Sequence, residues 1–146
     1  MSGNKSLAQT LMPLFGVLYV AIGIIGFAIT GFSNFVQNTD GHILLNGLSV
    51  NPFHNLVHVA IGGFLLIMSQ QSTTTAEGAC LGVGIFYVAA FVIGFIGPQN
   101  LTIISMQGRG DLENFNHLIN GVLLLGIGLV SSGATEAAAK RSGVPA

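Results

Sequence analysis

The chain has very little charge. Of its 146 residues, four are Lys or Arg and five are Asp or Glu, 6% in all; an ordinary soluble domain carries about 25%. So few charges cannot coat a soluble surface of this size, and most of the surface must face lipid. The mean hydropathy of +0.75 agrees. The net charge is −1 and no basic run occurs, which excludes a nucleic-acid surface that grips phosphates. One cysteine, Cys80, excludes an internal disulfide and a cysteine metal cluster. Tryptophan is absent, so an interfacial aromatic belt falls to Tyr19, Tyr87 and some of the ten Phe. No phosphate-cradling loop, Ser/His/Asp arrangement or apolar carboxylate pair appears, so no catalytic activity is expected.

What the chain does have is apolar length. Leu7 to Phe32 contains no charged residue, and a membrane helix needs roughly 20 apolar residues. A cleaved signal peptide would have an apolar stretch of only about 7–15 residues; this run is longer and has successors. Pro13 falls close to its start, where proline costs least. The pattern predicts an all-α, four-transmembrane-helix bundle in a single domain, with helices at about 7–31, 52–69, 78–96 and 115–131 and a flexible tail over 132–146. Gln70 to Glu77 reads as a loop, and Gly97-Pro98 ends the third helix. The second and fourth apolar stretches are short, about 24 Å at about 1.5 Å per residue, so buried helices of a soluble fold are a rival that only composition opposes. Two polar connections, 33–51 and 98–114, lie on one side. The first has an Asp40-Gly41 turn, and its short apolar pieces Ile43-Leu44-Leu45 and Leu48-Ser49-Val50 fit either a small hairpin or an interfacial segment. Lys5, Lys140 and Arg141 fall on the side of the termini and only Arg109 opposite, so the positive-inside rule predicts cytoplasmic termini and outer loops.

The helices repeat. Gly16 to Phe27 matches Gly84 to Phe95 at seven of twelve positions, including Tyr19 with Tyr87 and a closing Gly-Phe. Phe53-His54-Asn55-Leu56-Val57-His58 echoes Phe115-Asn116-His117-Leu118-Ile119-Asn120. This predicts two tandem helical hairpins in parallel relation about an axis along the membrane normal. Gly16, Gly23 and Gly26, answered by Gly84 and Gly94, let helices approach closely in lipid.

The costliest residues gather where the second and fourth helices begin. His54 and His58 share a helix face, and His117 lies at a matching depth, with Glu113 one turn before it. Three readings compete. Asn51, Asn55, His58, Asn116 and Asn120 can form a structural polar cluster, with interhelical bonds worth about 0.6 kcal/mol each. His54, His58 and His117 can instead bind a cofactor: a metal, haem or chlorophyll. Or the cluster is a proton relay or ligand pocket. His42 reads as a solvated loop residue and Cys80 as a small packing residue. Asn4-Lys5-Ser6 and Asn100-Leu101-Thr102 fit the glycosylation pattern, which is common by chance.

Val50-Asn51-Pro52-Phe53-His54-Asn55-Leu56-Val57-His58, followed by Gly62-Gly63, resembles the signature of a bacterial membrane family known as domain of unknown function 4383. The similarity extends over about residues 10 to 130, through the Tyr87 helix to Gly110-Asp111 and Asn116-His117-Leu118. The resemblance implies four spans in a bacterial inner membrane. It implies no activity, cofactor or catalytic residue. The expected function is that of a non-catalytic accessory or scaffold subunit, with lipid and other membrane subunits or itself as partners. A cofactor-binding subunit using the three histidines is the alternative, and a dimeric small-solute transporter the second.

Overall fold

The computed structural model describes residues 5–37, 43–44, 48–97, 103 and 109–143. The expected Asp40-Gly41 turn, His42, Pro98 and both glycosylation asparagines lie outside these. Four helices occur among the described residues: α1 over Leu7–Thr30, α2 over Pro52–Met68, α3 over Thr73–Ile96 and α4 over Leu112–Ser142. Between α1 and α2 lies a minimal antiparallel hairpin, β1 (Ile43–Leu44) with β2 (Leu48–Ser49), pairing Ile43 with Ser49 and Leu44 with Leu48. Of the two readings left open for that connection, the hairpin is the one formed.

Each helix begins where its sequence supplies a cap. Ser6 and Gln9 form a reciprocal capping box on α1. Asn51 caps α2 by accepting the His54 backbone N–H at 2.7 Å, with Pro52 as the first helical residue. Ser72 caps α3 by accepting the Thr75 N–H. That cap starts α3 five residues before the expected Gly78, so Glu77 belongs to a helix and not to a loop. Likewise α4 starts at Leu112 and continues to Ser142; the segment expected as a flexible tail is helical as far as that residue. Glu136-Ala-Ala-Ala-Lys140 explains the extension, since Ala favours helix and the Lys140–Glu136 pair closes at 2.6 Å over four residues. Pro13 stands in the second turn of α1 instead of at its start.

Lipid faces and buried faces are inverted relative to a soluble helix. The buried stripe of α1 is Ala8, Met12, Gly16, Tyr19, Gly23, Gly26 and Thr30, while Leu14, Val17, Leu18, Ile24 and Ile25 are exposed. Small and polar residues inside with branched aliphatics outside suit a hydrocarbon surround, and this decides against the soluble rival. α1, α3 and α4 are each long and apolar enough to cross a bilayer. At 17 residues, α2 spans about 26 Å, short of the roughly 30 Å hydrocarbon core. The chain is a multi-pass membrane protein.

The helices pair most closely as α1 with α2 and α3 with α4. Glycines set both crossings. A Cβ on Gly62 would lie 2.6 Å from the Gly16 carbonyl oxygen and 2.8 Å from the Val20 nitrogen. A Cβ on Gly121 would lie 3.1 Å from the Gly84 oxygen and 2.9 Å from the Val88 nitrogen. Gly16 is thus to Gly62 as Gly84 is to Gly121. This corrects the register of the repeat. The packing aligns His54-Asn55-x-x-His58-x-x-x-Gly62 with Glu113-Asn114-x-x-His117-x-x-x-Gly121, three residues away from the match of Phe53 with Phe115. The buried positions agree, since Asn55 and Asn114, His58 and His117, and Leu65 and Leu124 occupy matching places.

Candidate functional site: a buried histidine and glutamate cluster

The first turns of α2 and α4 meet on the pseudo-twofold axis, flanked by Tyr19 of α1 and Tyr87 of α3. The Asn51 cap and Pro52 fix the start of α2, which puts His54 and His58 on its inner face. On α4, Glu113 and His117 occupy the corresponding turns. All four side chains are buried. His54 stacks on His58 with ring centroids 4.6 Å apart, and His117 lies 6.0 Å from His54. Tyr87 packs against His117 at 5.5 Å and Tyr19 against His58 at 5.7 Å. The three histidines singled out in the sequence therefore do come together.

Glu113 joins them. Its Oε1 lies 3.4 Å from His54 Nε2 and 3.8 Å from His117 Nε2, too long for strong direct hydrogen bonds. One ligand atom from each of His54, Glu113 and His117 falls within 4.8 Å of the others. Ligands at about 2.0–2.1 Å from a tetrahedral ion are about 3.3 Å apart, so a slight inward turn of the rings would close the set around an ion. Glu113 Oε2 and the Nδ1 atoms of His58 and His117 are buried without a hydrogen-bond partner among the described residues. Buried polar groups left in that state are costly, and a bound cation or ordered water relieves that cost. A cavity of about 30 Å³ adjoins the cluster, lined by His54, Val57, His58, Tyr87 and His117 among others.

The expected asparagine cluster divides into separate bonds. Asn51 caps α2 and its Nδ2 reaches the Ile103 carbonyl at 3.5 Å. Asn55 donates to Thr30 Oγ1 at 3.0 Å, tying α2 to α1. Asn120 accepts the Tyr19 hydroxyl at 2.8 Å and donates to the Asn116 carbonyl at 2.8 Å. Of the asparagines expected in the cluster, Asn51 and Asn55 are fully enclosed, while Asn116 and Asn120 are half-buried.

Of the two buried glutamates, the sequence marks Glu113 only as a neighbour of His117, not as a ligand, and Glu77 not at all. Glu113 looked like part of a polar connection, and only the Glu-Asn-x-x-His-x-x-x-Gly spacing, set beside its counterpart on α2, marks it as part of the cluster. Glu77 is buried at the opposite end, where its Oε1 accepts the hydroxyls of Ser131 at 2.8 Å and Thr135 at 2.7 Å. Ser131 Oγ in turn accepts the Ala8 N–H at 3.2 Å, so α1, α3 and α4 are knotted there. Cys80 donates to the Leu124 carbonyl inside the core, in keeping with a packing role.

Fold and site together define a polytopic four-helix membrane protein, built from two related hairpins around a buried imidazole–carboxylate cluster. The chain belongs to the family described as Domain of unknown function (DUF4383), whose model matches residues 9–130. No curated protein and no solved structure matches it.

Proposed function

We propose that the chain is a multi-pass protein of a bacterial inner membrane, with both termini cytoplasmic, that holds one first-row transition-metal ion between His54, Glu113 and His117. The observation that carries this reading is the convergence of three buried ligand atoms within 4.8 Å. Two imidazoles and one carboxylate suit zinc, iron and their neighbours, whereas calcium and magnesium prefer all-oxygen sites. A haem or chlorophyll has less support, because a ring of that size far exceeds the cavity of about 30 Å³ beside the histidines. An accessory place in a larger assembly is compatible with metal binding. The exposed Leu, Ile and Phe side chains of all four helices would meet lipid or a neighbouring subunit equally well.

Metal analysis of the protein in mild detergent tests the reading. After growth with added metal, the wild type should carry about one equivalent per chain. His117→Ala and Glu113→Gln should each bind at least about tenfold more weakly, since even outer-shell changes cost 10–100-fold, while helical circular dichroism stays unchanged. A well-folded wild type that takes up no zinc, cobalt or ferrous iron would sink the proposal.

A further inference from the structure

We infer that the ion held by His54, Glu113 and His117 keeps one coordination position for a small exogenous ligand, a water or a diatomic molecule, in the cavity beside His58 and Tyr87. This rests on the metal-binding reading above and goes beyond it, because a purely structural ion would be closed on all sides.

Three observations converge. The first concerns His58, the obvious fourth ligand. Its ring stacks on that of His54 at 4.6 Å with 30° between the planes. Imidazole lone pairs lie in the ring plane, so two stacked rings direct them side by side and not toward one point. His58 accordingly falls outside the group of mutually close ligand atoms. Two histidines and one carboxylate remain, the set that in mononuclear iron sites leaves positions open.

The second observation is the space itself. The cavity is lined by both ligand histidines, and Val57, Phe86 and Ala90 complete its wall. Its volume of about 30 Å³ exceeds the roughly 10–15 Å³ that one water needs, and it would not take a much larger molecule. The third is chemical. His58 lines this cavity, and its buried Nδ1 has no partner among the described residues. It can hydrogen-bond a molecule seated on the metal without binding the metal itself.

The approach to the site narrows the ligand class. Val57 and Phe86 also line an apolar groove of about 530 Å³ between α2 and α3. A small neutral molecule dissolved in lipid can reach the cavity past these two side chains, whereas an ion would have to leave water to do so. Binding forms one coordinate bond and releases a metal-bound water; no electron or group is transferred.

The test uses the full-length protein in detergent, loaded anaerobically with ferrous iron and titrated with nitric oxide. The expected result is about one iron per chain and a high-spin iron–nitrosyl electron paramagnetic resonance signal that saturates at one nitric oxide per iron. Val57→Phe and Ala90→Leu, which fill the cavity without replacing a ligand residue, should keep the iron and weaken nitric oxide binding at least tenfold. Iron bound without any nitrosyl signal would mean that the coordination is closed, and would overturn this inference while leaving the metal reading intact. Unchanged nitric oxide affinity in both cavity-filling variants would also overturn it. Failure of the folded wild type to hold iron, zinc or cobalt would remove the metal reading and this inference together.

Discussion

Tyr19 joins the halves of the molecule without belonging to the ligand set. Its hydroxyl reaches across from α1 to Asn120 of α4 at 2.8 Å, and its ring packs on both His58 and Tyr87. Tyr19→Phe keeps the ring and removes the interhelical hydrogen bonds to Asn120 and to the Tyr87 hydroxyl, each worth in lipid about 0.6 kcal/mol on average and at most about 1.7. The variant should unfold slightly earlier than wild type in a detergent thermal melt and bind metal in the same amount. A loss of several kcal/mol, or of the metal, would show that the hydroxyl supports the site directly. Residues of this kind differ in how well sequence reveals them. His54, His58 and His117 stand out because imidazoles are rare and costly within apolar runs. Glu113 and Glu77 are equally costly but sit among Gly, Asp, Asn or Thr, where a charge looks like loop solvation. What betrays their burial is the partner each meets, His54 and His117 for one, Ser131 and Thr135 for the other, and those partners are distant in sequence.

Among the elements, the contacts between α1 and α2 and between α3 and α4 depend on glycine at the crossing points. Gly62 and Gly63 are adjacent, yet their surroundings are opposite: a Cβ on Gly62 meets backbone of α1 at 2.6 Å, and one on Gly63 meets nothing within 4 Å. Backbone cannot swing aside as a side chain can, so Gly62→Ala forces α1 and α2 apart, at a cost of about 1–3 kcal/mol. Gly63→Ala should be neutral, or stabilising by up to about 1 kcal/mol through helix propensity. Unfolding curves of the two variants in the same detergent check the contrast; equal shifts would mean that the crossing is not glycine-limited. Apolar runs made the existence and order of the helices legible, because hydrocarbon thickness fixes their length. Their ends were less so. A membrane span can be prolonged by polar turns at either end, and caps such as Ser72, or a run such as Glu136 to Lys140, carry no hydropathy signal.

The symmetry of the whole molecule gives the site its composition. An approximate twofold axis relates His54 to Glu113 and His58 to His117, so the cluster consists of two equivalent pairs that differ at one position. A strictly duplicated hairpin would place four histidines there; the exchange of His54 for Glu113 supplies the carboxylate and breaks the tie between the two remaining rings. The match of Tyr19 with Tyr87 exposed the duplication in sequence, whereas the register on α2 and α4 was obscured by a competing alternation of Asn and His three residues away. The glycine contacts and the matching buried positions discriminate between them. The axis makes a demanding prediction. His54→Glu combined with Glu113→His should restore the donor set in its rotated form, with His58 now in the place that His117 holds in the natural chain. The double variant should bind metal within about tenfold of wild type, well above His54→Ala, which loses a first-shell ligand where outer-shell losses alone cost 10–100-fold. Adding His58→Ala to the exchanged protein should then abolish binding, while adding His117→Ala should be tolerated, the reverse of their expected effects in the natural chain. Metal stoichiometry and affinity of these four variants, set against wild type, decide the matter. If the dependence on His117 persists after the exchange, the two hairpins share a fold but not an interchangeable site.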